Sequence, residues 1–400
     1  MKPDSAIEII QELRDRQYEA YLVGGCVRDM VMGIEPADYD IATSARPEEI
    51  MTMFPRTEAI GAQFGVVLVI HHGHPYEVAT FRSDEAYVDG RRPTGVVFTD
   101  ARTDVMRRDF TINGLLFDPI GKTILDYVSG QKDIEGKIVR AIGEPARRFD
   151  EDKLRILRAI RFGARLGYTI ESETWKAVCV MAPQIHQVSI ERIQGEIVRI
   201  LTEGQARTGF QMLHDSGLLL EILPEVQWND HLAQCLGMLE RGVPSDLAMA
   251  VLLHELQVSD VLRIMERLKF SRLEINHTVC LVARIPQFNT VRDMSISALK
   301  KFFRLPRFED HLEIERICRT VSQANLENYD FALETFRGWT PRDIWPKPLI
   351  TGEDLIAIEI PTGPVYKEIL SAVEDEQLEG RITTREAAIE FVKKRFGLRS

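Results

Sequence analysis

Residues 19–42 confine the start of this chain to one local architecture. Glu19-Ala-Tyr-Leu-Val23 is apolar and β-prone and runs straight into Gly24-Gly25, so the pattern predicts a strand ending in a tight turn. Residues 27–32 read as a short helix. Asp38-Tyr39-Asp40-Ile41-Ala42, thirteen residues after Gly25, reads as a second strand whose two-residue period points both aspartates to one face. Glycine lets backbone N–H groups approach a phosphate without a Cβ in the way, and Arg28 is a phosphate-directed cation beside the helix start. Two hard oxygen ligands side by side, Asp38 and Asp40, suit Mg²⁺, which keeps several waters and takes further ligands from substrate phosphates. A pair of such ions can activate an attacking hydroxyl and stabilise a leaving pyrophosphate in line. A D-x-D alone is common on surface loops; its conjunction with the glycine turn, the arginine and flanking strand patterns carries the reading.

The 400 residues exceed one compact core, and 44% hydrophobic with 28% charged residues describes a soluble globular protein. There is no apolar run long enough to cross a bilayer and no signal-peptide pattern, so a cytoplasmic protein without a membrane partner is expected. Five scattered cysteines without C-x-x-C spacing point to reduced thiols, and no zinc site is readable from them. The net charge of −11 argues against a nucleic-acid binder only on average. Residues 137–166 hold nine Lys/Arg against four acids, a local +5, and residues 90–108 hold five arginines against two aspartates, a local +3.

Strand patterns recur near 19–23, 38–42, 66–71 and 76–82 after a helix near 5–17, with a hairpin at His72-Gly73-His74-Pro75. After Pro145 apolar residues recur at helical spacing. The expectation is an α+β head over residues 1–145, then an all-α remainder: a neck at 146–225, a body at 226–340 and a tail at 341–400. Residues 339–348, with three prolines, read as a linker.

Further constellations follow in order. Glu77 lies on the strand Tyr76-Glu77-Val78-Ala79-Thr80, either as a third active carboxylate or as a solvent-facing strand glutamate. Residues 80–99, including Arg82, Asp84, Arg91 and Arg92, form a polar loop with turn residues at Asp89-Gly90 and Pro93. In Arg107-Arg108-Asp109-Phe110-Thr111-Ile112-Asn113, Asp109 or Thr111 could cap a helix flanked by two guanidiniums, whose planar fork suits triphosphate oxygens. In Glu151-Asp152-Lys153-Leu154-Arg155, a helix would make Asp152 and Arg155 neighbours on one side, with Arg158 and Arg161 continuing a basic stripe. That pair could form an intrahelical salt bridge, or present an acceptor and donors to a base edge. Glu191 and Arg192 could brace that helix.

Taken together, LVGGCVRD…DYDIAT, RRDFTIN and EDKLR resemble the signatures of the DNA polymerase beta nucleotidyltransferase superfamily. Within it they resemble the bacterial class II branch of CCA-adding tRNA nucleotidyltransferases and poly(A) polymerases. Gly114 stands where that branch has alanine. The resemblance implies an enzyme that adds CMP and AMP from CTP and ATP to tRNA 3′ ends with release of pyrophosphate, without a nucleic-acid template. It implies Asp38 and Asp40, with Glu77, for the catalytic Mg²⁺ pair. Gly24, Gly25, Arg28 and Arg108 would hold triphosphate; Asp152 and Arg155 would read the base, and Arg158 and Arg161 would hold nucleotide or RNA phosphates. The loop at 80–99 would take part in the switch from C to A addition. Ile60-Gly61-Ala62-Gln63-Phe64-Gly65 lacks the basic residues that the resembled poly(A) polymerases carry there, and residues 349–386 resemble the C-terminal helices of the tRNA enzymes, with Glu359 where glycine is expected.

The rival readings are an enzyme adding only the terminal A, a poly(A) polymerase, and a tRNA-binding module with a relict site. Leu253-His254-Glu255 lacks the His-Asp pair of the phosphohydrolase domain some relatives carry, so His254 reads as buried or capping, and His214-Asp215 reads as structural.

Overall fold

The computed structural model describes residues 3–61, 64–84 and 96–396. The chain divides into two compact units, Met1–Val243 with Ile264–Phe270, and Pro244–Arg263 with Ser271–Ser400. The first is α+β and the second is all helical.

The first unit opens with helix α1 (Pro3–Asp15), whose Ile9, Ile10 and Leu13 are buried at the spacing of one helical face. Seven strands form one sheet: β1 (Ala20–Val23), β2 (Asp40–Thr43), β3 (Thr57–Gly61), β4 (Val66–His71), β5 (His74–Thr80), β8 (Leu115–Asp118) and β9 (Thr123–Asp126), with β6 (Arg82–Asp84) and β7 (Val96–Phe98) as a separate ribbon. The sheet order is β3-β4-β5-β2-β1-β8-β9. Its pairs are antiparallel except β2–β5, where Ile41 faces Val78 in parallel register. The expected hairpin is present: His71 pairs with His74 across His72 (φ 47°) and Gly73 (φ 77°). Two left-handed residues in a two-residue turn match the twist of the strands they join.

Helices α2 (Gly25–Val31), α3 (Pro47–Met53), α4 (Ala101–Met106) and α5 (Gly130–Glu135) decorate the sheet. Val23, Ala42, Phe81, Ala101, Val105 and Leu116 form a core between the sheet and α4. Helices α6 (Pro145–Glu151), α7 (Leu154–Leu166), α8 (Ser172–Met181), α9 (Ile190–Thr202), α10 (Ala206–Asp215), α11 (Leu218–Ile222) and α12 (Asp230–Gly237) complete the first unit's helical part. Gly209 lets α10 close on α9, since a Cβ there would lie 2.4 Å from Ile200 Cγ2.

In the second unit, Phe288, Phe302, Phe303 and Phe308 build an aromatic core. Residues 339–348 are not the plain linker their prolines suggest. Thr340 and Asp343 form a capping box over the short helix Pro341–Ile344, Ile344 is buried, and Trp339 packs 5.5 Å from Phe303. A further core around Ile350, Leu355, Ile369 and Val392 joins the last three helices. Glu359 takes φ 61°, the left-handed conformation that explains why glycine suits that position. His254 Nδ1 donates to Val251 O (2.8 Å) at the end of its helix, a local structural role. No helix among the described residues is long and apolar enough to cross a membrane.

Candidate active site

The chain reversal between β1 and α2 sets the site's floor. Gly24 has φ 78° and ψ −128°, a backbone geometry that favours glycine. Helix α2 starts at Gly25, two residues earlier than its side-chain pattern suggests. Arg28 lines the adjoining cleft, but the residue is only 3% exposed and its guanidinium is committed. It donates to Asn113 Oδ1 at 2.8 Å and to Asp29 Oδ1 at 2.9 and 2.6 Å. The free phosphate cation expected at Arg28 is therefore a neutralised, oriented one.

Asp40 is the first residue of β2 and sits opposite Val23. Asp38 precedes the strand and is exposed, so the two carboxylates share the cleft without sharing a strand. Burial pushes the Asp40 carboxyl up to about 6, with Asp38 and Glu77 adding like charge and Arg108 opposing them. Glu77, exposed on β5 beside β2, is thus electrostatically part of the group although it does not line the cleft. The donor set fits a hard divalent cation, because a positive ion relieves the repulsion that holds Asp40 away from its ionised form.

Arg107-Arg108-Asp109 begins a single 3₁₀ turn (Thr111–Asn113) where a helix is expected. The two arginines are held by a residue the sequence reading missed: buried Asp104 on α4 accepts from Arg107 at 2.9 and 2.7 Å and from Arg108 at 3.2 and 2.9 Å. Burial works against its ionisation, but Arg108 and Arg107 outweigh it and hold its carboxyl below the usual range. The i+3 and i+4 spacing from Asp104 to the two arginines was the available signal. Of the two alternatives for the turn, Asp109 accepts from Phe110 N (2.8 Å) and Asn113 Nδ2 (3.2 Å), whereas Thr111 donates to Asp133 (2.6 Å). Asp109 also takes Arg158 Nε and Nη2 at 2.8 and 2.6 Å. Burial opposes its charge, yet Arg158 foremost, then Arg155 and Asn113, hold the carboxyl down to about 2.

The Glu151–Arg155 element departs most from expectation. It is not one helix: α6 ends at Glu151, Asp152 has φ −148° and ψ 103°, and α7 begins at Leu154. Asp152 and Arg155 are not an intrahelical pair. Asp152 accepts a bidentate bond from Arg192 (3.1 and 2.8 Å), while Arg155 donates to Arg148 O (3.1 Å), Glu151 (3.1 Å) and Arg107 O (2.9 Å). Arg161 is buried against Glu196 (2.6 Å) with its guanidinium 4.3 Å from the Phe162 ring. The brace expected of Glu191 and Arg192 falls to Arg192 alone; exposed Glu191 pairs with Lys269 at 2.6 Å.

These residues converge on one cleft of about 600 Å³. Gly24, Gly25, Arg28, Asp38, Asp40, Arg108, Asp152, Arg155, Arg158, Arg161 and Arg192 all line it, with Arg165 and Arg199, which the sequence reading did not single out. Nine arginines against five aspartates give its wall a surplus of four positive charges. Arg82 and Asp84 lie on the ribbon, facing Phe98 and Val96 in register. Arg91 and Arg92, with Ala62 and Gln63, lie outside the described residues.

A mixed sheet whose glycine turn and paired aspartates meet an arginine-lined cleft defines a nucleotidyltransferase of the polymerase-head class. Residues 20–140 match the family described as "Poly A polymerase head domain", 167–229 "Probable RNA and SrmB- binding site of polymerase A", and 244–392 tRNA nucleotidyltransferase domain 2. The CCA-adding enzyme of Geobacillus sp. (strain WCH70) is 33% identical over 392 residues, covering 96% of this chain and 95% of that protein. That of Levilactobacillus brevis is 32% identical over 395 residues, covering 96% of each. The crystal structure of Bacillus stearothermophilus CCA-adding enzyme in complex with CTP matches with a TM-score of 0.81 at 28% identity over 99% of both chains. The chain belongs to the family of CCA-adding enzymes.

Proposed function

We propose that this chain completes tRNA 3′ ends, adding CMP and then AMP from CTP and ATP with release of pyrophosphate and with no nucleic-acid template. The observation that carries this reading is the single cleft in which two carboxylates, a glycine turn and an arginine wall meet. Asp38 and Asp40, with Glu77 at their side, would hold Mg²⁺, two ions in the full reading. Bound there, the metal supplies charge neutralisation to the triphosphate and acidity to the attacking hydroxyl.

The protein's own part is positioning. The Gly24-Gly25 turn gives the triphosphate a close approach, and Arg108, anchored by Asp104, aims its remaining N–H groups at phosphate oxygens. Asp152, oriented by Arg192, accepts from the exocyclic amine that cytosine and adenine share. Arg155 uses three of an arginine's five N–H groups on protein acceptors and keeps donors for ring acceptors. Guanine and uracil present the opposite pattern at these positions, which gives selection without a template. Arg158 and Arg161, fixed by Asp109 and Glu196, position nucleotide or RNA phosphates. The helical part of the chain meets the acceptor through shape and phosphate contacts. A cytoplasmic location belongs to the same reading, supported by five cysteines that form no disulfide among the described residues.

The test uses tRNA transcripts ending before CCA, after C and after CC, each incubated with one NTP at a time. C incorporation on the shortest transcript and A incorporation only on the longest are expected. Activity confined to the CC transcript would reduce the enzyme to A addition, and long A tails on every transcript would make it a poly(A) polymerase.

A further inference from the structure

Away from the cleft, three side chains from two separate elements meet at one point on the surface of the first unit. Glu8, on the outer face of α1, places Oε2 2.7 Å from His71 Nε2 and 2.8 Å from His72 Nε2. Neighbouring residues of a strand point to opposite faces, so two consecutive histidines do not ordinarily act together. Here His71 ends β4 and His72 takes φ 47° in the turn, which brings the second ring round to the first, with centroids 4.3 Å apart and planes at 57°. The potential ligand atoms of Glu8, His71 and His72 all lie within 4.8 Å of one another.

We propose that Glu8, His71 and His72 form a surface site for a borderline divalent transition metal of the Zn²⁺ type, separate from the Mg²⁺ carboxylates. Two imidazoles and one carboxylate are a donor set that Zn²⁺ accepts and Mg²⁺ does not favour. Each ring would give its Nε2 lone pair to the metal and carry its proton on Nδ1, and water would complete the tetrahedron. Glu8 is 54% exposed at its side chain and His72 63%, so solvent metal reaches the site without any opening of the fold. Nothing in the proposed transfer reaction uses these residues. The bound ion would pin α1 to the β4–β5 hairpin, and β5 is the strand that carries Glu77 alongside β2.

Calorimetric titration of the full chain with Zn²⁺, in a large excess of Mg²⁺ to fill the hard carboxylate site, tests this. The wild type is expected to bind one more equivalent of Zn²⁺ than either His72→Ala or Glu8→Gln, and Zn²⁺ is expected to raise its Tm by more than it raises theirs. Both variants change exposed side chains, and unchanged Tm values without metal confirm that each remains folded. Equal stoichiometry in wild type and variants, or filling only at millimolar Zn²⁺, overturns the proposal.

Discussion

Asp40 stands in a place that is poor for stability and good for chemistry. Its carboxylate is partly buried, and it faces the like charges of Asp38 and Glu77 with only Arg108 in opposition. Asp40→Asn removes that repulsion while keeping the shape, so the variant is expected to unfold at a higher Tm than the wild type in EDTA. The same change should lower nucleotide incorporation by at least about a hundredfold, as loss of a group that stabilises transition-state charge does. A drop in both Tm and activity would mean that Asp40 holds the fold, and the metal role would fall. Asp109 is the converse case. Its carboxyl is held down to about 2 in the folded chain, below its unfolded value, so its stabilising effect is complete above pH ~4 and is lost as pH falls towards 2. The shift corresponds to roughly 2 kcal/mol. Asp109→Asn is therefore expected to be less stable at neutral pH, and to lose less stability than the wild type between pH 4 and 2 in urea titrations followed by circular dichroism. At this scale the sequence made the chemistry of most site residues legible, because residue type decides what a group can bind. It did not reveal how the arginines are held, because the bonds from Arg28 to Asn113 and from Arg155 to Arg107 O depend on partners 85 and 48 residues away.

Elements place these groups through a few contacts with no slack. Helix α5 begins at Gly130, where a Cβ would stand 2.3 Å from Thr111 O, a backbone atom that cannot move aside. Thr111 is in turn bonded to Asp133 of the same helix, and two residues on Asn113 holds Arg28. Gly130→Ala should therefore push α5 off the 3₁₀ turn, costing about 1–3 kcal/mol as overpacking does. Through the displaced Asn113 it should also weaken CTP binding. Tm and the KM for CTP measured on the same preparation check this, and a lowered Tm with an unaltered KM would break the link from α5 to Arg28. The β-hairpin, the strand to glycine-turn unit and the switch from strands to helices were readable because each follows from periodicity and turn chemistry. The break between α6 and α7 was not. Residues 145–166 carry helix-forming side chains on both sides of Asp152, whose extended conformation goes with its carboxylate accepting from Leu154 N at the start of α7 and from the distant Arg192. The reading of 339–348 as a linker failed for a related reason: prolines mark a helix start as well as a loop, and Thr340 with Asp343 caps one.

For the whole molecule, the net charge of −11 and the proposed acceptor, a polyanion, pull in opposite directions. The resolution is spatial. Positive charge is gathered on the cleft wall, where nine arginines outnumber five aspartates, while the acidic surplus lies elsewhere on the chain. This distribution was half visible in the sequence as the basic run over 137–166. Arg192 and Arg199 join it only because α9 packs against α7. Binding driven by such a wall releases counterions from RNA phosphates, so its affinity must fall steeply with salt even though the protein as a whole is acidic. Arg199 is the informative residue. Its side chain is 55% exposed, its nearest acid, Glu196, is 3.9 Å away and is already engaged by Arg161, and the side chain lines the cleft. Filter binding of a tRNA transcript across a series of KCl concentrations should give a linear fall of log affinity against log salt, and Arg199→Gln should make that slope shallower by about one. The substitution should leave Tm close to that of the wild type, since an exposed arginine 3.9 Å from an acid already paired with Arg161 contributes little to stability. An unchanged slope would remove Arg199 from the RNA contact. A salt-independent affinity in the wild type would mean that the arginine wall serves the triphosphate alone, and that the acceptor is held by some other face of the molecule.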